Sequence, residues 1–321
     1  MNLQALSEHV YYLPGGVNAA IVTNAANTNA ANTNATNEAV LVDTGQDKNS
    51  GRELRKACEH LNVRPVAIIN SHAHADHFGG NDYLLRQFDI PVYAPPFEAS
   101  LMQSPLLEPV YLFNGAKPLA EMYSKWLMAK PSRVDYHLSP GDIDIHGINL
   151  TVLDTSGHAH VQCSFEVDGV LLAADALFGE AVLEKYPLPF GQNIAQQIAS
   201  ARALRERQVQ ITLPGHGTPT EDLDTLVSRN LAAFERAAEA VTEAVTETVT
   251  EAVAEAVTDK SQGISTADVL QRTCRILAIT MTDIPRYTLN LCTVMAYLSY
   301  LREQGRVAVM LQDNLLLWQA T

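Results

Sequence analysis

The stretch Ile69-Asn70-Ser71-His72-Ala73-His74-Ala75-Asp76-His77-Phe78-Gly79-Gly80, "INSHAHADHFGG", holds three of the chain's ten histidines and one aspartate within six residues. It follows "PVAII", a short apolar run that reads as a strand, and precedes "DYLLRQF", which reads as a helix. A strand that stops at a tight loop and enters a helix turns alternate side chains to one point. Imidazole together with carboxylate is the ligand set of a borderline divalent cation. One such cluster leaves the shell incomplete, so the remaining ligands have to come from elsewhere in the chain.

Three further segments offer them. "TSGHAH" carries His158, "AADAL" carries Asp175 and "LPGHG" carries His216, each just after an apolar strand and two of them beside glycine. Asp43 stands in a similar place in "LVDTG". On H-x-H-x-D-H followed by His, Asp and His in that order, the sequence resembles the metallo-β-lactamase superfamily over roughly residues 8 to 230.

The resemblance implies an α/β fold, a four-layer αββα sandwich, with a binuclear centre at one edge. His72, His74 and His158 would hold the first metal, Asp76, His77 and His216 the second, and Asp175 would bridge them. Asp43 matches the family's buried acidic position, which sits behind a ligand. Two divalent ions are implied, zinc first, with iron or manganese accepted by the same N/O donors. Two cations held close together lower the pKa of a shared water and polarise a carbonyl oxygen, so Asp76 and Asp175 would act through a metal-held hydroxide. Glycines beside His158 and His216 are expected to let the backbone approach the metals. His160 has no family counterpart and is expected in solvent. His9, His60, His137 and His146 read as ordinary hydrogen-bonded or surface residues.

Outward from the cluster, strands and helices alternate, which favours strand-end placement of the site. "HVYYLPGGVNAAIVTN" and "EAVLVDTG" read as strands, and the Asn/Thr/Ala tract at 24–37 between them reads as a lengthened loop. Lys48 to Leu61 is helical in pattern. Residues 100–136, with Tyr111, Phe113, Tyr123 and Trp126, read as a helical insert and candidate lid within a catalytic unit spanning 1–230.

Residues 231–260 form a helix or linker in which Glu239 to Val257 repeats strictly every four residues. A period of four drifts by about 40° per repeat against ~3.6 residues per turn, so a solvated helix or a partly disordered expansion is expected. Residues 261–321 read as two helices and a hairpin, "RVAVML-QDN-LLLWQ", a winged-helix-like module. With five arginines against three aspartates and one glutamate its net charge is only +1, so packing against the main domain or a second subunit is the expectation rather than DNA binding.

The whole chain carries a formal charge of −14, which offers no basic stripe for nucleic acid. It contains no apolar run of membrane-spanning length, and its start lacks the pattern of a signal peptide. Four scattered cysteines, with no C-x-x-C pair, read as packed free thiols. These features predict a cytoplasmic protein, and the family resemblance implies a metal-dependent hydrolase acting on an ester, thioester or lactone of a small molecule, with a homodimer as the expected assembly. Two alternatives differ in class: a mononuclear iron persulfide dioxygenase using the first histidine trio, and a ligand-sensing regulatory protein.

Overall fold

The computed structural model describes residues 2–24, 37–246 and 263–321. Most of the loop expected at 24–37, and the repeat beyond Thr246, lie outside the described residues. The first sheet has seven strands in sequence order: β1 (Gln4–Ala5), β2 (Val10–Leu13), β3 (Ala19–Thr23), β4 (Glu38–Val42), β5 (Arg64–Ile69), β6 (Val92–Ala94) and β7 (Tyr136–His137). The second has five, β8 (Gly141–Ile145), β9 (Ile148–Asp154), β10 (Cys163–Val167), β11 (Val170–Ala174) and β12 (Ile211–Pro214), in the order β12-β11-β10-β9-β8.

Period-two patterning decides which side chains meet between the sheets. Val40 and Val42 point inward with Ile69, Val152, Phe165, Leu172 and Leu213, whereas Leu41 and Ile68 point to the opposite face. That outer face is covered by α1 (Lys48–Leu61) and α3 (Asn81–Leu85), which follows the short α2 (Ala75–Phe78). Asp47 caps α1 by accepting from the amides of Asn49 and Ser50, and Asn62 ends it in the left-handed region at φ 53°. Each fully buried large side chain here contributes about 1.5–3 kcal/mol relative to exposure.

The outer face of the second sheet packs on α7 (Ile194–Arg205) and α8 (Leu223–Thr246), which follow α4 (Pro96–Gln103), α5 (Leu107–Leu112) and α6 (Glu180–Lys185). Helix, sheet, sheet and helix complete the four-layer sandwich. The chain continues through β13 (Ile264–Ser265), α9 (Thr266–Ile276), α10 (Ile284–Glu303), β14 (Val307–Gln312) and β15 (Leu315–Ala320), whose sheet order is β13-β15-β14. Val269, Leu270, Val294, Tyr297 and Leu298 from this part share one core with Leu226, Phe234 and Val241 of α8.

Three expectations need correction. Within 239–246 the repeat is solvated on one face only: Glu239 and Glu243 are exposed, whereas Ala240, Val241, Ala244 and Val245 are buried. Over two turns the drift of the stripe is too small to carry it away from α9. The insert is less helical than expected, because Pro105, Gly115, Pro118 and Pro131 break it, and apart from α4, α5 and a 3-10 turn at Ala120–Met122 it is irregular. In the terminal hairpin Gln312 pairs with Leu315, so the turn is Asp313-Asn314 alone, both at positive φ as a two-residue hairpin turn requires.

Candidate metal centre

β4 runs parallel to β5, and β11 parallel to β12, so the residues just past their carboxyl ends gather at one edge of the sandwich. Asp43 follows β4, the His72 to His77 loop follows β5, Asp175 follows β11 and His216 follows β12, while His158 comes from the loop after β9. Three groups of donor atoms converge there: His72, His74 and His158; His72, His77 and Asp175; and Asp76, His77 and His216. Every ligand candidate read from the sequence is therefore at the cluster, and Asp43 stands behind it.

In the first group His74 Nδ1 lies 2.9 Å from His72 Nε2 and 2.9 Å from His158 Nε2. Facing lone pairs at that distance repel unless a proton or cation lies between them. Asp175 spans the groups: Oδ2 is 3.3 Å from His158 Nε2 and 3.4 Å from His216 Nε2, and Oδ1 is 3.4 Å from His77 Nε2. His216 Nε2 is also 3.5 Å from Asp76 Oδ2.

The outer nitrogens decide which tautomer each ring adopts. Ser71 Oγ donates to Asp43 Oδ2 at 2.7 Å and lies 3.0 Å from His72 Nδ1, whose N–H it then accepts. His77 Nδ1 donates to Asp43 Oδ2 at 2.8 Å, His158 Nδ1 to the Phe190 carbonyl at 3.2 Å, and His216 Nδ1 to the Gly16 carbonyl at 2.5 Å. Each of those four rings thus aims Nε2 inward. His77 Nε2 and Asp175 Oδ1 are buried with no hydrogen-bond partner. Two orphaned polar atoms, facing each other in a nest of imidazole and carboxylate donors, are what a bound divalent cation would satisfy, so the residues present fit a metal.

Protonation divides the cluster. Burial, then the neighbouring histidines, hold His72 well below the usual imidazole range; burial and His158 do the same for His74, and burial dominates in lowering His158. For His77 burial also pulls downward, but Asp175 and Asp43 outweigh it and hold the ring well above that range. His216 follows the same logic, with burial opposed by Asp175 and Asp76, and ends at about 9. Burial would raise the Asp175 carboxyl, yet His216, His77 and His158 hold it well below the carboxylate range.

Of the two glycines beside the histidines, one departs from expectation. A Cβ on Gly215 would lie 2.1 Å from Asp175 Oδ1, so this glycine does give the cluster room. Gly157, at φ 133°, is needed instead because a Cβ would strike the Gln197 backbone at 2.3 Å, where α7 approaches the His158 loop.

His160 is exposed, as expected, and stands edge-on to Phe97 with centroids 5.4 Å apart. Sequence reading missed Phe190, whose ring packs edge-on to His74 and His158, and the buried carboxyls of Glu98 in α4 and Glu108 in α5. Burial lifts Glu98 to about 7; burial, then Asp76 and Glu98, lift Glu108 well above the carboxylate range. None of the three lies in a spacing motif that would single it out.

Comparison with known proteins agrees with the geometry. The family model described as the metallo-beta-lactamase superfamily matches residues 28–216, and the chain belongs to that family. An uncharacterized protein of Aquifex aeolicus is 28% identical over 183 residues, covering 56% of this chain and 78% of its own length. The probable metallo-hydrolase YqgX of Bacillus subtilis is 25% identical over 190 residues, covering 58% and 83%. The crystal structure of a metallo-beta-lactamase family protein from Thermus thermophilus superposes with a TM-score of 0.71 at 19% identity, covering 99% of this chain and 100% of that one. The fold is thus the metallo-beta-lactamase fold, and its His and Asp groups could hold metal.

Proposed function

We propose that this chain is a metal-dependent hydrolase that cleaves an ester, thioester or lactone of a small molecule. The observation that carries the reading is the buried Asp175 carboxylate, with one oxygen against His158 and His216 and the other facing His77, so that one side chain spans two donor groups. In this reading His72, His74 and His158 hold one divalent ion, Asp76, His77 and His216 hold a second, and Asp175 is shared. Zinc suits these donors, as do iron and manganese.

Such a pair of cations, when bound, supplies an acidified water as nucleophile and a Lewis-acid face for a carbonyl oxygen. The chain's own residues prepare the place. Ser71, Asp43 and the carbonyls of Phe190 and Gly16 lock four imidazoles with Nε2 inward. Asp175 and Asp76 set two carboxylates against the cluster, which would offset part of the charge that two divalent ions bring. Phe178 and Phe190 cover His158 from two sides and exclude water, so charges at the centre act in a lower dielectric.

The relatives named as probable metallo-hydrolases support hydrolysis and name no substrate. No helix among the described residues is long and apolar enough to cross a membrane. We assign the protein to the cytoplasm, with a small molecule and neither nucleic acid nor membrane as its partner, and a homodimer as the assembly that light scattering would test. The C-terminal part serves as a winged-helix-like scaffold for α8. The test is hydrolysis of a panel of p-nitrophenyl esters, acyl thioesters and lactones before and after dipicolinate treatment: activity on at least one class, lost on chelation and regained with zinc, is expected. Hydrolysis that survives complete metal removal would overturn the reading.

A further inference from the structure

Glu98 is 1% exposed, yet no cation pairs with it among the described residues. Burying a carboxylate costs several kcal/mol unless it is compensated, so its partners matter. They are two backbone amides: Ala73 N–H donates to Oε2 at 3.0 Å, and Val161 N–H donates to Oε1 at 3.3 Å. Ala73 sits between His72 and His74, and Val161 lies three residues past His158. One carboxylate therefore touches both chain segments that deliver the histidine trio, segments that are far apart in sequence.

The placement of Glu98 is itself determined by its helix. Pro95 and Pro96 open α4, which puts Glu98 in the first turn, where the positive end of the helix favours a carboxylate. The preceding residue, Phe97, reaches His160, two residues past His158. A purely structural plug at this point could be apolar, and Ala99, Leu101 and Met102 already supply that on the same helix. A carboxyl whose two oxygens are shared by two ligand loops does something different: it sets the distance between them.

We propose that Glu98 is a positioning residue that fixes the spacing of the His72, His74 and His158 donors by clamping the Ala73 and Val161 amides from α4. The inference rests on the metal reading of that trio. Replacing Glu98 by Gln keeps one oxygen acceptor but turns an N–H group toward an amide N–H, so one strand of the clamp is lost and the loops separate. Partners that orient metal ligands typically change metal affinity by about 10–100-fold when removed.

The experiment is cobalt(II) titration of metal-free wild type, Glu98→Gln and Glu98→Asp, reading affinity by chelator competition and ligand geometry by the visible absorption of the bound ion, with thermal melts of each metal-free protein. Glu98→Gln is expected to bind the first cobalt at least tenfold more weakly with an altered spectrum, to melt without metal within a few degrees of wild type, and, on any substrate found, to lose kcat with KM little changed. Glu98→Asp, which keeps the charge but has a shorter reach, is expected to fall between the two. Equal affinity and an identical spectrum in Glu98→Gln, beside a wild type that binds cobalt, would overturn the role of Glu98 alone. Variants that fail to fold without metal would assign Glu98 to the fold and overturn it as well. A wild type that takes up no cobalt would overturn the metal reading itself.

Discussion

Metal loading should depend on pH unequally across the two donor groups. In the metal-free chain His72, His74 and His158 lie below the usual imidazole range and are neutral at pH 7, so a cation displaces no proton from them. His216 titrates at about 9 and His77 well above the usual range, so at pH 7 both are protonated, and a cation taking the Asp76, His77 and His216 donors must expel those protons. For His216 alone the two-unit gap between pH 7 and about 9 costs about 100-fold in affinity, or ~2.7 kcal/mol. The sign follows from the raised pKa: the protonated form is the favoured one, so affinity climbs with pH and levels off only above about 9. Between pH 6 and 8 the second ion should therefore bind about tenfold tighter per pH unit from His216, and more with His77, while the first ion changes far less. Chelator-competition titrations at pH 6, 7 and 8, with protons counted by calorimetry in two buffers of different ionisation enthalpy, measure this directly. Parallel pH slopes for the two ions, or proton release confined to the first, would refute the division of the cluster.

Three other outcomes follow from particular contacts. Asp175→Asn removes the charge shared by His77, His158 and His216, so both ions should bind at least tenfold more weakly in equilibrium dialysis, and His216 should titrate closer to 6.5 by NMR. Gly215→Ala places a methyl group 2.1 Å from Asp175 Oδ1, so metal affinity should fall about tenfold or more, with the metal-free melting temperature lowered by only a few degrees. Glu98 is held at about 7 against an ordinary value of 4.5, so its contribution to metal-free stability is full below pH 4.5 and is lost as pH rises through about 7. The gap corresponds to ~3 kcal/mol, and Glu98→Gln should flatten the wild-type decline in urea-unfolding stability across that window.

The cluster of candidate donors was legible because it is local and chemical: four donors within six residues at the end of one strand, and three more each just past another. The α/β alternation was legible because β4, β5 and β11 carry apolar runs of strand length, with Lys48 to Leu61 helical between the first two, whereas the four-layer sandwich was implied by the family resemblance. What escaped was tertiary. Glu98 and Phe190 look like any glutamate and phenylalanine until α4 and the loop before α7 close on the histidines. The valine repeat at 239–246 was misread because a drifting stripe was judged over its full length, whereas over the two described turns its Ala and Val side chains stay buried. Gly157 was tied to the metals by adjacency in sequence, and only the approach of Gln197 shows what it accommodates.

The central claim is that one chain holds two divalent ions through seven side chains and uses them for hydrolysis. Elemental analysis of protein purified without added metal, scored beside the ester, thioester and lactone panel, tests it most directly. Close to two ions per chain, with hydrolysis that tracks metal content, is the predicted result. One iron per chain, with oxygen uptake on a persulfide and no hydrolysis, would contradict it and make the trio of His72, His74 and His158 a mononuclear dioxygenase site instead.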